Sequence, residues 1–271
     1  AMIDSPSLGS PRTIGAASAT ELGFHGYLQQ YGLQGEVFSW LYRNVDALAS
    51  VPRLQWLTAL LGALVLTLLG REYQLAFSSG FGWIFLLCMA GSPWVVSIAR
   101  NLYWVPFLWF LPALVATCLY RCHGRVGLRR LLYAAFFAAI FLKSLAGYEY
   151  LSGIVLFALL VFLVDPFLEQ GRFQRAQAIR IAGILWLLSI AGFLAALLVH
   201  AGIRADSVVE GLRAILQLDA LKYTGLSGAV ALGTEATRMQ VLETYVFGWE
   251  MPVLFGIGHW LAFPGLVALA C

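Results

Sequence analysis

The stretch LLYAAFFAAIFLKSLAGYEYLSGIVLFALLVFLV, Leu131–Val164, decides the fold. Two apolar runs, Leu131–Gly147 and Tyr150–Val164, flank one short polar turn. Each run approaches the length of about 20 residues that crosses a bilayer as a helix. Two such runs joined back to back read as a transmembrane pair. Working outward, comparable runs fall at Leu54–Gly70, Phe81–Ala99, Leu102–Tyr120 and Ile181–His200, and a further one begins at Pro252. The expectation is an all-α, polytopic transmembrane helical bundle with about seven spans, forming a single membrane domain over residues 1–271.

Composition agrees. Apolar residues make up 61% of the 271 and charged residues 11%, with mean hydropathy +0.81. Soluble domains average about 45–50% apolar and about 25% charged. An ordinary soluble enzyme, a disordered chain and a disulfide scaffold are therefore excluded. The net charge of +3 is small and scattered, which gives no support to a nucleic-acid partner. Cys88, Cys118, Cys122 and Cys271 lie in or beside apolar stretches and read as buried thiols. The chain opens on Ala1 and closes at Cys271 inside an apolar run, so a fragment of a longer protein is expected.

Loop charge gives the orientation. One set of short connections carries Arg71, Arg121, Arg125, Arg129, Arg130, Arg172, Arg175 and Arg180 against Glu72, Asp165 and Glu169. The opposite set is acidic on balance and far longer. The basic end is expected to be cytoplasmic. Residues 1–53 and the 201–251 loop are then external. Each holds an amphipathic stretch, Gly35–Ser50 and Asp206–Lys222, the second with Asp206 as N-cap and Glu210 in its first turn. Such helices either lie in the membrane interface or pack on the external part of the protein.

Candidate chemistry follows from polar groups where they are costly. Lys143 sits deep in an apolar run, and a charge there costs a few kcal/mol unless paired or near water. Glu149 lies in the external turn, as a solvated acid, a ligand contact or a partner for Lys143. Tyr148 and Tyr150 flank it and suit the aromatic belt. Arg100-Asn101-Leu102-Tyr103-Trp104 closes the neighbouring external turn, where an arginine either holds an anionic phosphate or snorkels to the interface. Pro93, Pro106 and Pro112 bend or break helices nearby. Asp4 is the only acid before Glu21, and a lone aspartate is ordinarily solvated or a cap. His25, His123, His200 and His259 show no metal-ligand spacing, and no P-loop, Gly-x-Ser-x-Gly or His-Glu-x-x-His motif occurs.

The order of these features resembles the GT-C glycosyltransferases, polytopic enzymes that use polyprenyl-phosphate-linked sugars. The shared order is an early external Asp4, an amphipathic segment with Tyr31-Gly-Leu-Gln-Gly35, the Arg100–Trp104 turn, the Lys143…Tyr150 turn and a long external loop with a second amphipathic helix. The resemblance implies a sugar transferase of the bacterial inner membrane whose active face lies outside the cytoplasm. It implies Asp4 as catalytic base, and Arg100, Asn101, Trp104, Lys143, Tyr148, Glu149, Tyr150 and Arg204 as substrate-binding residues. The acceptor would be a glycan, a lipid or a protein, and a divalent cation (Mg or Mn) is the one cofactor to consider. Three other readings stand beside it: a lipid-linked polysaccharide polymerase or ligase, a transporter, and a non-catalytic subunit of a membrane complex.

Overall fold

A computed structural model describes residues 31–168, 171–216, 252–254 and 257–258. Nine α-helices occur among them. These are α1 Leu33–Asn44, α2 Val51–Ala76, α3 Ser79–Gly91, α4 Pro93–Ile98, α5 Phe107–Cys122, α6 Val126–Ala146, α7 Leu151–Val164, α8 Arg175–Arg204 and α9 Val208–Ala214. Single 3-10 turns at Asp46–Leu48 and Asp165–Phe167 precede α2 and follow α7.

The helices α2 to α8 run back and forth between two ends. One end gathers the α2–α3, α5–α6 and α7–α8 connections and is basic. The other gathers the α1–α2, α4–α5 and α6–α7 connections and the last turn of α8. The core lies toward the basic end, where Leu69, Ala116, Leu119, Phe136, Ile140, Phe162 and Leu185 interlock. Outward-facing positions are apolar too: Leu60, Leu64, Leu87, Leu156, Trp186, Leu187, Leu194 and Leu198 are all exposed. Exposed apolar surface of this extent marks a protein or membrane interaction surface.

Two helices, Val51–Ala76 and Arg175–Arg204, are long and apolar enough to cross a membrane by length and composition. The expected seven runs are thus corrected. Phe81–Ala99 is not one helix: Ser92 caps a new one by accepting from the Val95 N–H at 3.5 Å, and Pro93 follows as its first residue. Proline belongs at that position and breaks the helix before it. The α5 and α7 helices have 16 and 14 residues. At about 1.5 Å per residue they fall short of a hydrocarbon core of about 30 Å. The α6 helix has 21 residues but carries Arg129, Arg130 and Lys143, so every 18-residue window in it holds three charges. Where a seventh span was expected to begin, Pro252–Leu254 and Ile257–Gly258 form a two-stranded antiparallel pair. The rest of that run lies outside the described residues.

The amphipathic stretches are also sharpened. Phe38, on the stripe of α1, is buried with Leu54 and Val105, and Leu41 and Leu48 pack against them. So α1 docks on the bundle, while Val37 and Trp40 on its other side stay exposed. The cap of α9 is Ser207, which accepts from the Glu210 N–H at 3.2 Å, and not Asp206. Described helix there ends by residue 216, and the expected continuation to Lys222 lies beyond it.

One side chain ties the basic end together. Asp165 is fully buried. Its Oδ1 accepts from the Tyr120 hydroxyl at 2.5 Å and from the Arg172 N–H at 2.8 Å, and its Oδ2 accepts from the Phe173 N–H at 2.9 Å. Arg172 lies over the Tyr120 ring and donates to the Arg121 carbonyl. A buried carboxylate is tolerated when its oxygens are filled in this way. Asp165→Ala would leave three donors unpaired and cost about 3 kcal/mol. Thermal unfolding of the detergent-solubilised chain should show a corresponding fall in Tm, and an unchanged Tm would refute the anchoring role.

Candidate functional site

The end opposite Asp165 collects the unusual polar groups. It is built from the α4–α5 turn, the end of α6, the α6–α7 turn and the last turn of α8.

Asn101 organises the first of these. Its Oδ1 accepts from the Tyr103 N–H at 2.9 Å and the Trp104 N–H at 2.8 Å. This side-chain turn replaces a backbone turn and leads into Val105, whose φ of 49° is left-handed. A β-branched residue in that region is a genuine outlier. Tyr150, with φ 59°, is the other non-glycine outlier among the described residues. Rings meet beside the two strained positions: Trp104 and Trp109 lie 6.4 and 5.0 Å from the Tyr150 ring. Strain of this kind clusters at binding and catalytic sites.

Lys143 is 2% exposed, and its Nζ donates to the Gly147 carbonyl at 2.6 Å across the end of α6. That bond uses one of three ammonium protons, and Glu149 acts on the same group electrostatically. Glu149 accepts the Tyr103 hydroxyl at 2.9 Å, which ties the two turns together. Next to Lys143, the fully buried Ser144 Oγ has no hydrogen-bond partner, nor have the buried atoms Trp109 Nε1 and Gln34 Oε1. Gln34 Nε2 donates to the Tyr103 carbonyl at 2.8 Å, so α1 closes over the same turn. Buried polar atoms are almost always satisfied. Three orphans at the end of the bundle that also holds a buried ammonium mark a place equipped to receive a polar ligand.

The third part is Tyr148 with His200. The phenol and the His200 Nδ1 share a hydrogen bond of 2.9 Å. His200 is buried in the last turns of α8. Arg204, one turn further, acts on Tyr148 electrostatically.

Of the residues expected from the sequence, Lys143, Tyr148, Glu149, Tyr150, Asn101, Trp104 and Arg204 fall at this end. Arg100 does too, but its guanidinium covers the Trp56 ring at 4.3 Å. Asp4 lies outside the described residues. Sequence reasoning missed His200, because it asked only for metal-ligand spacing, and it missed Gln34, Trp109 and Ser144. The i, i+4 pairing of His200 with Arg204 at the end of an apolar run is the signal that could have found the first. Among the described residues no three His, Cys, Asp or Glu side chains meet as a metal-ligand set.

Neither family models, nor curated proteins, nor solved structures match the chain.

Burial raises the pKa of Tyr148 above its ordinary 10.0, with Arg204 acting in the opposite sense. The unfolded phenol ionises first as pH rises. The stability that neutral Tyr148 contributes is thus complete below pH 10 and is lost as the pH climbs past that value. Tyr148→Phe should flatten the fall of Tm above pH 10 relative to the unchanged chain. Parallel alkaline unfolding curves would refute this.

Proposed function

We propose that the chain is a multi-pass glycosyltransferase of GT-C type in a bacterial inner membrane, transferring sugar from a polyprenyl-phosphate donor on the extracytoplasmic face. The observation that carries the reading is one end of the bundle that holds a buried Lys143 ammonium, unpartnered buried polar atoms and the ring cluster of Trp104, Trp109 and Tyr150. A lipid phosphate leaving a sugar needs cations near membrane depth, and a pyranose ring packs on aromatic faces.

Multi-pass topology follows if α2 and α8 cross the membrane. The helices between them link the same two ends, and the short α5 and α7 would cross where the bilayer thins around them. The α3 and α4 pair would act as one crossing bent at Ser92–Pro93, in keeping with spans that line a cavity.

In this reaction the acceptor hydroxyl attacks the anomeric carbon. Its proton passes to the Asp4 carboxylate, and the bond from the anomeric carbon to the phosphate oxygen breaks with its electron pair going to phosphate. Lys143, Arg204 and Arg100 are the cations available to that leaving group. Glu149, already bonded to Tyr103, is suited to orient a sugar hydroxyl.

The test is sugar transfer from a radiolabelled polyprenyl-phosphate hexose in membranes carrying the full chain. Asp4→Asn should lower the rate about 100-fold or more. Lys143→Met and Arg100→Ala should each lower it about 10-fold or more at equal protein level. Undiminished transfer in Asp4→Asn and Lys143→Met would refute the proposal.

A further inference from the structure

The basic end carries an arrangement that the transferase reading does not use. α6 and α8 run parallel, both starting at the basic end, with α7 returning between them in sequence. Their register is read from one contact within the helices and a second two residues past the end of α6. Tyr148 meets His200, 52 residues on. Gly192 meets Ile140 at the same spacing, where an added Cβ would lie 3.1 Å from the Ile140 side chain and 3.2 Å from the Phe137 carbonyl. Carried toward the basic end, this register sets Arg129 of α6 level with Ile181 and so beside Arg180 of α8. The electrostatics agree, since both guanidinium groups act on the half-buried Tyr133 hydroxyl, one turn along α6 from Arg129. His123 also lies within reach of Arg129.

Both arginines thus act on one phenol, and among the described residues no acid answers their charge by pairing with them. Glu72 is held by Arg121 at 2.7 Å. The oxygens of Asp165 are taken by Tyr120 and two backbone N–H groups. Among the described residues the Arg129 and Arg180 guanidinium groups have no hydrogen bond and no ion pair. The two guanidiniums stand at the end of an apolar seam bordered by exposed Leu131 and Ile179. Paired arginine forks with a hydroxyl donor match a phosphate diester, and the adjoining apolar surface matches acyl chains. Basic pockets between transmembrane helices hold anionic lipid headgroups in this manner.

We propose that the α6–α8 seam at the basic end is a binding site for an anionic phospholipid, with Arg129 and Arg180 on the headgroup phosphate and the Tyr133 hydroxyl as a third donor. The site requires that the helices lie in a bilayer and requires no transferase activity. Its failure and the failure of the transferase reading are separate results.

Native mass spectrometry of the full chain in detergent, offered phosphatidylglycerol and phosphatidylcholine in equal amounts, tests it. The unchanged chain should retain phosphatidylglycerol preferentially. Arg180→Gln, at an exposed position, should lower that preference about fivefold, the weight of one basic side chain near an anionic surface. Tyr133→Phe should lower it less, and Arg125→Gln, at the exposed start of α6, should leave it unchanged. Equal losses in Arg180→Gln and Arg125→Gln would mean diffuse attraction and overturn the site. So would an undiminished preference in Arg180→Gln, or displacement of the lipid by excess inorganic phosphate.

Discussion

The carboxylate of Asp165 is the interaction on which the rest of the bundle depends. It stands where α7 ends and the chain must turn into α8. Its two oxygens reach forward to the backbone of Arg172 and Phe173 and sideways to Tyr120 of α5. One buried acid therefore fixes the end of one helix, the approach to the next and their distance from a third. α8 has 30 residues, about 45 Å of helix, so a shift at its start is carried to its far end. His200 meets Tyr148 only if that start is held. Desolvating the carboxylate is costly, and only full hydrogen bonding offsets the cost.

At the opposite end the constraint takes another form. The polar groups there are not fully satisfied, and the backbone is strained at Val105 and Tyr150. Native structures keep orphaned polar atoms and left-handed β-branched residues only where the surroundings enforce them. Here the enforcement comes from the Asn101 side-chain turn, from α1 packed across it and from the Tyr103–Glu149 bond. A rigid frame around unsatisfied donors is what a preorganised site requires.

The sequence made the helices legible, because an apolar run has one way to satisfy its backbone in lipid. It also made the two ends legible, since one set of short connections is strongly basic and the other is not. The break at Ser92–Pro93 was visible as a proline signal, yet the run was still counted as one span, because hydropathy does not register a change of helix axis. Asp165 was counted only as a loop charge. A carboxylate sealed by backbone N–H groups has no sequence signature, for its partners are named by geometry and not by residue type. His200 was set aside for the same reason: its partner, Tyr148, is 52 residues away and reached through the register of two parallel helices. Lys143, Glu149 and the aromatic turn could be read directly, because in so apolar a chain each charge is conspicuous.

The two ends use their cations in opposite ways, and burial decides which. Lys143 is sealed from water and tied to a carbonyl, at an end of the bundle where buried polar atoms lack partners. Such an ammonium gains most from a ligand that brings negative charge into a dry place, where Coulomb interactions are strong. Arg180 is exposed and Arg129 half-exposed, at the rim of an apolar girdle. Those guanidiniums keep most of their hydration, so each adds only modest binding and selectivity comes from pairing two of them with a phenol. A deep single cation suits a group that enters, reacts and leaves. A shallow pair suits a headgroup that stays with the surrounding lipid.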